Sequence, residues 1–417
     1  MSDVFDIVII GAGAAGIGAA MRLVREGFTP LMIEALPRIG GRAWTSEAAG
    51  QPLDLGCGWL HSGDRNPWTR IAEARGFTVD RRPTAWDRQY RDLGFSAAEQ
   101  EEAHAAFDAW SEQIATQPPA SDCASDLLPP SGPWNAYLQA LSGYISGDEL
   151  ERISARDYAA YDTASTYMNW RLPAGYGTLV ADCLPRETNL RPGITVEAIG
   201  LHGPGVTLET TAGTLRTRQA ILTVSTHVLA GSGLRLPPAL DPWRDAAGRL
   251  PLGTNEKLFF HITEDGAFAP ESHVLGNPRD PATGAYYIRP LGRPVIECFL
   301  GGAGARAVQE RGRDAAIAHA VDELAALFGE DIRRQLRPLI ASDWAGTASI
   351  GGGYSHALPG HAAARLALAR PFEDRLFFAG EATHPTDFST AHGAYESGVR
   401  TAEEVIASGT RAMPRPT

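Results

Sequence analysis

The chain of 417 residues contains only four cysteines, and this scarcity excludes several classes of protein. No two of them have the Cys-x-x-Cys spacing of a zinc site, and four are too few for a disulfide-rich scaffold of this length. We therefore expect neither a structural metal nor a disulfide framework, and a reducing cytoplasm is the simplest location. The cysteines are Cys57, Cys123, Cys183 and Cys298.

Long apolar runs and an excess of positive charge are also missing. No stretch approaches the ~20 apolar residues that a membrane-spanning helix needs. The N-terminus carries Asp3 and Asp6 and no basic flank, so it does not have the pattern of a signal peptide. The net charge of −12 argues against nucleic acid as a partner. We expect a protein that binds small molecules and has no membrane anchor, and its oligomeric state stays open.

The first forty residues carry the clearest pattern that is present. Val4 to Ile10 is an apolar run rich in β-branched residues that stops at Gly11. An alanine-rich, helix-prone stretch then leads to a second apolar run, which ends in Glu34. Strand, glycine turn, helix, strand and acidic residue, in this order, are typical of a dinucleotide-binding βαβ unit. The sequence therefore predicts an α/β fold.

Each position of this unit has a physical task. Gly11 permits the tight turn, Gly13 lets the backbone approach the pyrophosphate, and Gly16 lets the helix lie close to the sheet. The helix N-terminus offers unpaired N–H groups to the phosphates, and the acidic residue accepts hydrogen bonds from a ribose diol. The nucleotide contacts expected at these two places are Ala14, Ala15, Glu34 and Ala35.

Two glycine-containing segments extend the predicted site. In Arg38-Ile39-Gly40-Gly41-Arg42, paired glycines between arginines suit a loop that meets a phosphate, which assigns Gly41 and Arg42 to the cofactor. In residues 54–61, glycines flank a cysteine and imply close backbone approach to a flat or bulky group, so Gly58 and Trp59 are also assigned to the cofactor. Trp59 and His61 would point to the same side of an extended segment, because side chains alternate there.

Hydrophobic periodicity over the rest of the chain predicts a second domain and a return to the first. The chain is too long for one compact core. A capping box at Ser96 starts a helix that reaches Ile114, and residues 116–133 have the composition of a loop. Predicted strands are 194–199, 206–209, 214–218, 220–224, 258–262, 295–300 and 375–379, and further predicted helices are 67–76, 314–328 and 392–407.

These segments, in this order, resemble the flavin-containing amine oxidase family, which includes the monoamine and polyamine oxidases. The resemblance also covers residues 252–257, 344–354, 378–383 and 390–394, and so spans nearly the whole chain. It implies FAD as cofactor and a two-domain fold. Residues 1–61, 172–233 and 344–413 would form a Rossmann-like FAD-binding domain, 62–171 and 234–343 an α+β substrate-binding domain, and 414–417 a tail.

The resemblance assigns further cofactor contacts. They are Glu34 at the adenosine ribose, Arg42 at the phosphates, Val196 at the adenine, Gly380 and Glu381 at the pyrophosphate and ribityl chain, and Thr390 and Ala391 at the pyrimidine end of the flavin. A helix N-terminus at this last place would stabilise reduced flavin. Some relatives bind the flavin covalently through a cysteine where this chain has Gly353, so the resemblance implies that FAD is held non-covalently.

Four residues are expected around the reacting amine. Lys257 matches a lysine that holds a water against flavin N5, and a fixed cation there suits oxygen activation. Tyr354 matches one wall of an aromatic cage, and Trp344 would pack against the cavity and the flavin. The other wall position is Thr390, as in polyamine-type relatives, and Trp59-Leu60-His61 resembles the same branch. His61 would orient the amine.

The implied function is an FAD-dependent amine oxidase. A hydride would pass from the carbon next to nitrogen to flavin N5, the imine would be hydrolysed, and dioxygen would reoxidise the flavin and give hydrogen peroxide. The partners are then a small-molecule amine and O2. Three alternatives stay open: an L-amino-acid oxidase, in which Arg171 or Arg289 would clamp the carboxylate; a flavin dehydrogenase or desaturase that avoids oxygen; and a non-catalytic flavoprotein.

Overall fold

The structure is a computed structural model that describes residues 4–264 and 268–409. Its strands are β1 (Val4–Ile10), β2 (Leu31–Glu34), β3 (Thr45–Ala48), β4 (Gln51–Asp54), β5 (Asn189–Pro192), β6 (Val196–His202), β7 (Gly205–Thr210), β8 (Gly213–Leu222), β9 (Asn255–Ile262), β10 (Ser272–Leu275), β11 (Ala285–Ile288), β12 (Val295–Gly301), β13 (Leu336–Ala341) and β14 (Leu376–Phe378).

Helices connect these strands and cover them. They are α1 (Ala14–Arg25), α2 (Pro67–Ala74), α3 (Ala97–Thr116), α4 (Asn135–Ser146), α5 (Ala155–Ala164), α6 (Tyr176–Asp182), α7 (Thr226–Ala230), α8 (Asp241–Gly248), α9 (Ala303–Arg311), α10 (Arg313–Phe328), α11 (Ile332–Gln335), α12 (Ala364–Leu368) and α13 (Ala391–Ala407). Within the described ranges, no helix is both long and apolar enough to cross a membrane.

The first sheet gathers strands from distant parts of the chain. Its order is β5-β2-β1-β8-β7-β6, and β14 pairs with the end of β8. β1 runs parallel to both β2 and β8, as a doubly wound α/β sheet requires. Alternate residues of β1 enter two different cores: Val8 packs with Ile33 and Leu222, while Ile9 packs with Met32 and the helices α1 and α13. Burial on both faces explains why these strands are continuously apolar in sequence.

Glycines allow α1 to lie in backbone contact with its neighbours. A Cβ on Gly16 would lie 2.0 Å from the carbonyl oxygen of Gly11, so the helix starts directly against the turn, as its sequence position predicts. On the other side, a Cβ on Gly398 of α13 would lie 2.0 Å from the oxygen of Ala15. Helices α1 and α13 therefore pack closely although 365 residues lie between them in the chain.

The second sheet is antiparallel, with the order β10-β11-β12-β9-β13. One face, which includes Leu258, Phe260 and Cys298, forms a core with Leu324 of α10. Since side chains alternate along a strand, the intervening residues face the other way. They include Lys257, His273, Tyr287, Glu297 and Phe299, which line a cavity.

Several predicted boundaries differ from the structure. β8 is one strand from Gly213 to Leu222, whereas the sequence predicts two, because pairing with β7, β1 and β14 continues through Gln219. α13 begins at Ala391, one residue earlier than predicted, with Thr390 as its N-cap. The loop 116–133 contains a short 3₁₀ helix, Ala124–Leu127. Residues 410–417, including the expected tail, lie outside the described residues.

Candidate active site

A cavity of about 1510 Å³ is lined by residues of both sheets. This volume exceeds the roughly 300–1,000 Å³ of an ordinary small-molecule pocket. Its lining includes the β1–α1 turn and the end of β2, together with aromatic side chains of α4 and α5 such as Tyr144 and Tyr161. The cavity is therefore large enough for a dinucleotide together with a separate substrate chamber.

The β1–α1 turn forms a backbone cradle at the nucleotide end. Gly11 has φ +108°, and a Cβ there would lie 2.4 Å from Thr223 Oγ1. Gly41 has φ +58°, and its Cβ would lie 3.1 Å from the Cα of Gly13. Side chains at these positions would collide with neighbouring protein atoms, so glycines let the turn and the loop at Gly41 pack closely together. The backbone of both segments lines the cavity and fits the predicted pyrophosphate. Ala14 and Ala15 line the cavity beside it.

Glu34 lies at the end of β2 and lines the same part of the cavity. Its carboxylate is buried and accepts backbone N–H groups from Ala12, at 2.7 Å, and from Leu36, at 2.8 Å. These bonds fix the carboxylate beside the glycine turn, where a ribose would follow a pyrophosphate. Ala35 and Val196, the other residues predicted for this end, also line the cavity.

Arg42 and Glu381 form an ion pair farther along the cavity. Arg42 Nη1 lies 3.0 Å from Glu381 Oε1 and donates to the carbonyl oxygen of Gly353 at 2.5 Å. Glu381 also accepts hydrogen bonds from the Ser355 hydroxyl and from the Ser389 N–H. Burial acts to raise the pKa of Glu381, but the charge of Arg42 and these hydrogen bonds outweigh it, so the pKa is lowered.

The N-terminus of α13 closes this side of the cavity. Thr390 Oγ1 accepts the N–H of Gly393 at 3.0 Å and donates to the oxygen of Asp387 at 2.6 Å. Trp68 Nε1 donates to the oxygen of Ala391 at 3.1 Å. Thr390, Ala391 and Gly380 all line the cavity, so the positive end of a seventeen-residue helix faces it.

Lys257 projects from β9 into the cavity and is the only lysine in the sequence. It is buried, and its Nζ lies 2.7 Å from Glu297 Oε1 and 3.0 Å from the carbonyl oxygen of Asp54. A Cβ on Gly58 would lie 3.3 Å from this Nζ, so a glycine there leaves room for the ammonium group. The lysine is thus held in the site and is not a solvated strand end.

Aromatic side chains enclose the chamber. The Tyr354 hydroxyl donates to the carbonyl oxygen of Tyr144, and Trp344 Nε1 donates to the oxygen of Leu55 at 3.0 Å. Trp59 packs against Trp86 with ring centroids 4.4 Å apart. Burial raises the pKa of Tyr354 well above its ordinary value, so its hydroxyl stays neutral.

His61 is held in one tautomer. Asn169 Nδ2 donates to the carbonyl oxygen of Tyr167 at 3.0 Å, which identifies the other amide atom, Oδ1, as an acceptor. His61 Nδ1 lies 2.7 Å from that oxygen and therefore donates to it, leaving Nε2 as an acceptor. Burial lowers the pKa of His61 to about 4, so the imidazole is neutral at pH 7. His61 lines the cavity.

The two arginines considered as carboxylate clamps are engaged elsewhere. Arg171 Nη2 pairs with Asp80 and with Glu271, each at 2.9 Å, and Arg289 Nη1 donates to the oxygen of Phe268 at 3.1 Å. Among the described residues, the arginines that line the cavity are Arg42 and Arg88. Arg171 Nη1 is buried without a hydrogen-bond partner, but neither Arg171 nor Arg289 is among the residues that line the cavity.

The sequence-based predictions miss several residues of the site, and two of them contact predicted site residues directly. Glu297 contacts Lys257, and Asn169 contacts His61. The sequence gives a weak indication of Glu297. Lys257 and Glu297 both lie in predicted strands, and oppositely charged side chains on neighbouring strands can form a cross-strand ion pair. The sequence gives no indication of Asn169, since this residue lies 108 residues from His61.

Comparison with known proteins identifies the family. Residues 71–406 match the family of flavin containing amine oxidoreductases, and residues 9–74 match the NAD(P)-binding Rossmann-like domain. Polyamine oxidase 2 of Arabidopsis thaliana is 25% identical over 448 residues, which cover 95% of this chain and 87% of that protein. Polyamine oxidase 4 of Oryza sativa subsp. japonica is 27% identical over 443 residues, covering 95% and 88%.

Solved structures agree on the fold. A putrescine oxidase with bound putrescine superposes with a TM-score of 0.75 at 18% identity, covering 98% of this chain and 100% of that one. The chain belongs to the flavin-containing amine oxidase family and has its two-domain fold. It is an FAD-dependent amine oxidoreductase that acts on small-molecule amines. The predicted family, fold class, cofactor and reaction class are confirmed.

Proposed function

We propose that the protein is an oxidase of polyamine-type amines that holds FAD non-covalently and passes electrons to dioxygen, giving hydrogen peroxide. The observation that carries the proposal is the continuous cavity, in which a dinucleotide cradle leads to a chamber bounded by Lys257, Tyr354, Trp344 and His61. Bound FAD supplies the acceptor for a hydride from the carbon next to the amine nitrogen.

The cofactor-binding role rests on residues 1–61, 172–233 and 344–413, and the substrate-binding role on residues 62–171 and 234–343. The cradle at Gly11 and Gly13 would hold the pyrophosphate, and Glu34 would hold the ribose. Gly353 supports the absence of a covalent link, because a Cβ there would lie 2.7 Å from Asn255 Oδ1, leaving no space for a longer side chain. Acid precipitation of the purified protein should release the flavin into the supernatant.

The aromatic chamber would favour the neutral amine. A free alkylamine has a pKa of ~10, and an apolar environment disfavours its charged form. Tyr354 and Trp344 present ring surface and hold their polar atoms in hydrogen bonds to backbone oxygens, so they exclude water without adding charge. With Nε2 as an acceptor, His61 can receive an N–H from the substrate and orient the nitrogen.

Lys257 would supply a fixed positive charge beside the reacting centre. An ammonium group has three donors, and two of those on Nζ meet Asp54 and Glu297. The third is available for a water in the cavity, as the family resemblance implies. A fixed cation also favours reduction of dioxygen to superoxide nearby.

The test is a spectral screen. The purified yellow protein is mixed without oxygen with polyamines, monoamines and amino acids in turn, and loss of the flavin absorbance is followed. The proposal expects bleaching by polyamines and a stoichiometric yield of hydrogen peroxide after air is admitted. Bleaching without peroxide would identify a dehydrogenase, and bleaching by amino acids alone an amino-acid oxidase. If no amine bleaches the flavin, the protein is a non-catalytic flavoprotein.

The four cysteines are free thiols in the structure. A reducing compartment such as the cytoplasm is proposed on this basis.

A further inference from the structure

Lys257 is unusual because the rest of the chain contains no other lysine, although it contains 36 arginines. The one side-chain primary amine of the protein therefore lies in the cavity where the proposed reaction takes place. That reaction, on which this inference rests, releases an aldehyde when the imine is hydrolysed. A neutral primary amine condenses with an aldehyde to give an imine and water, whereas an ammonium ion has no lone pair with which to attack.

Glu297 is the carboxylate that contacts this amine. Lys257 lies opposite Phe299 in the β9–β12 ladder, and Glu297 precedes Phe299 by two residues, so lysine and glutamate are diagonal neighbours on one face. Their charged atoms are 2.7 Å apart, and the side chains are 9% and 21% exposed. Diagonal positions are within reach of long side chains, so the sheet itself holds the pair together.

Other charged groups nearby do not substitute for Glu297. Asp54 meets Nζ through its backbone oxygen, while its carboxylate accepts the Thr45 hydroxyl and the Tyr176 N–H. Burial raises the pKa of the Asp54 carboxyl group, which favours its neutral form. Burial also raises the pKa of the Cys57 thiol, to about 12, so this group is uncharged at pH 7. Arg42, Arg171 and Arg293 add positive charge to this region, and His61 is neutral at pH 7.

We propose that Glu297 is a positioning residue that holds Lys257 as an ammonium ion in the cavity and so prevents the only lysine from condensing with the aldehyde product. The ion pair serves two ends at once. It fixes the positive charge of Lys257 at one place. It also keeps the amine protonated, so that no lone pair on Nζ is available to attack the aldehyde product. Arginine does not form such imines readily, so the remaining basic residues are not exposed to the same reaction.

The experiment measures the reactivity of Nζ directly. Holoenzyme, wild type and Glu297→Gln, is incubated at pH 7.5 with butanal and sodium cyanoborohydride, which reduces any imine to a stable secondary amine. Cleavage after arginine gives peptide 250–279, in which Lys257 is the only lysine, and a separate N-terminal peptide whose α-amine serves as an internal reference. Mass spectrometry follows the alkylation of both. Glutamine has nearly the same size as glutamate, so E297Q removes the charge without opening the site.

We expect Lys257 to be alkylated at least about tenfold faster in E297Q than in the wild type, relative to the α-amine. An opposite charge within ~4–6 Å changes a protonation equilibrium by about 10- to 1000-fold. Equal rates in the two proteins would overturn the proposal, because burial alone would then account for the protection.

Glu323→Gln is the matched control. Glu323 accepts hydrogen bonds from Thr283 and Tyr286 on the opposite face of the same sheet and does not contact Lys257 in the structure. If E323Q increases the alkylation as much as E297Q, general loosening of the sheet is the cause and the proposal is wrong. If E297Q does not retain FAD, Glu297→Thr, which suits a strand, takes its place.

Added butanal makes the result independent of turnover. Failure of the proposed oxidase function would show as unbleached flavin in the amine screen, while the butanal experiment could still support the role of Glu297. A second incubation, with an amine that bleaches the flavin and cyanoborohydride in air, connects the two: E297Q should acquire the product adduct on peptide 250–279, and the wild type should not.

Discussion

Arg365 offers the sharpest test of how the substrate side of the molecule is attached to the cofactor side. It lies on α12 and is 1% exposed. Its guanidinium pairs with both carboxylate oxygens of Asp157 on α5, at 2.6 and 2.7 Å, and donates to the Ser355 hydroxyl at 2.9 Å. It also lies 3.4 Å from the ring centroid of Phe388. Ser355 in turn contacts Glu381, so the network reaches the cavity wall.

Replacing Arg365 by methionine should lower the free energy of unfolding by about 3–5 kcal/mol. This is the cost typical of removing one partner from a buried ion pair, because the other charge is left without compensation. Asp157 is 3% exposed, and its carboxylate also accepts the N–H of Ala357 at 2.9 Å, which cannot replace a bidentate guanidinium. In the double variant Arg365→Met/Asp157→Asn no buried charge is left unpaired. It should therefore be less destabilised than the sum of the two single variants, by at least about 1 kcal/mol.

Urea unfolding followed by tryptophan and flavin fluorescence measures these quantities. Arg156→Met is the control, because Arg156 is exposed and directly precedes Asp157 in the sequence. This substitution should change the free energy of unfolding by less than about 0.5 kcal/mol. The reasoning is wrong if R365M lowers the free energy of unfolding by less than about 1 kcal/mol. It is also wrong if the loss in the double variant equals the sum of the losses in the two single variants.

Three further results are expected. Lys257→Met should slow flavin reduction or reoxidation by about 100-fold while the FAD dissociation constant changes little, and unchanged turnover in stopped-flow assays would remove its role. Gly398→Ala should lower stability by about 1–3 kcal/mol, because the added methyl would meet the oxygen of Ala15, whereas Gly248→Ala, with open space around it, should be neutral or stabilising. Burial lowers the pKa of three histidines to about 4, so the unfolded chain binds protons below about pH 6.5 that the folded chain does not. Stability should therefore fall between pH 6.5 and 4, by up to about 1.4 kcal/mol per pH unit for each histidine, and unfolding at a series of pH values checks this for His61, His273 and His356.

The dinucleotide-binding unit can be predicted from the sequence because the residues that define it are close together in the chain. The turn at Gly11, the helix that follows and the acid at Glu34 lie within about one βαβ unit, and each residue type is dictated by backbone geometry or by the ligand. The amphipathic helix α10 and the capping box at Ser96 are likewise determined by neighbours three or four residues away.

The contacts that complete the site depend on tertiary structure. Glu297 meets Lys257 because of the register between β9 and β12, which no local pattern fixes. Asn169 orients His61 across 108 residues, and Arg365 reaches Asp157 across 208. In the sequence, nothing distinguishes these residues from polar side chains on the surface. Their importance follows from burial, which raises the cost of leaving them unpaired and is known only once the chain is folded.

The position of β1 in its sheet has a consequence for biosynthesis. β1 is made before β8 and β14, but it pairs with β8, which in turn pairs with β14, and α1 packs against α13. The layers around β1 and α1 are therefore complete only after β14 and α13 have left the ribosome. Such non-local pairing is slow and leaves apolar strands uncovered in the meantime. We expect heterologous production to benefit from slow translation at low temperature and from riboflavin in the medium, since residues as late as Ala394 are needed to complete the lining of the coenzyme cavity.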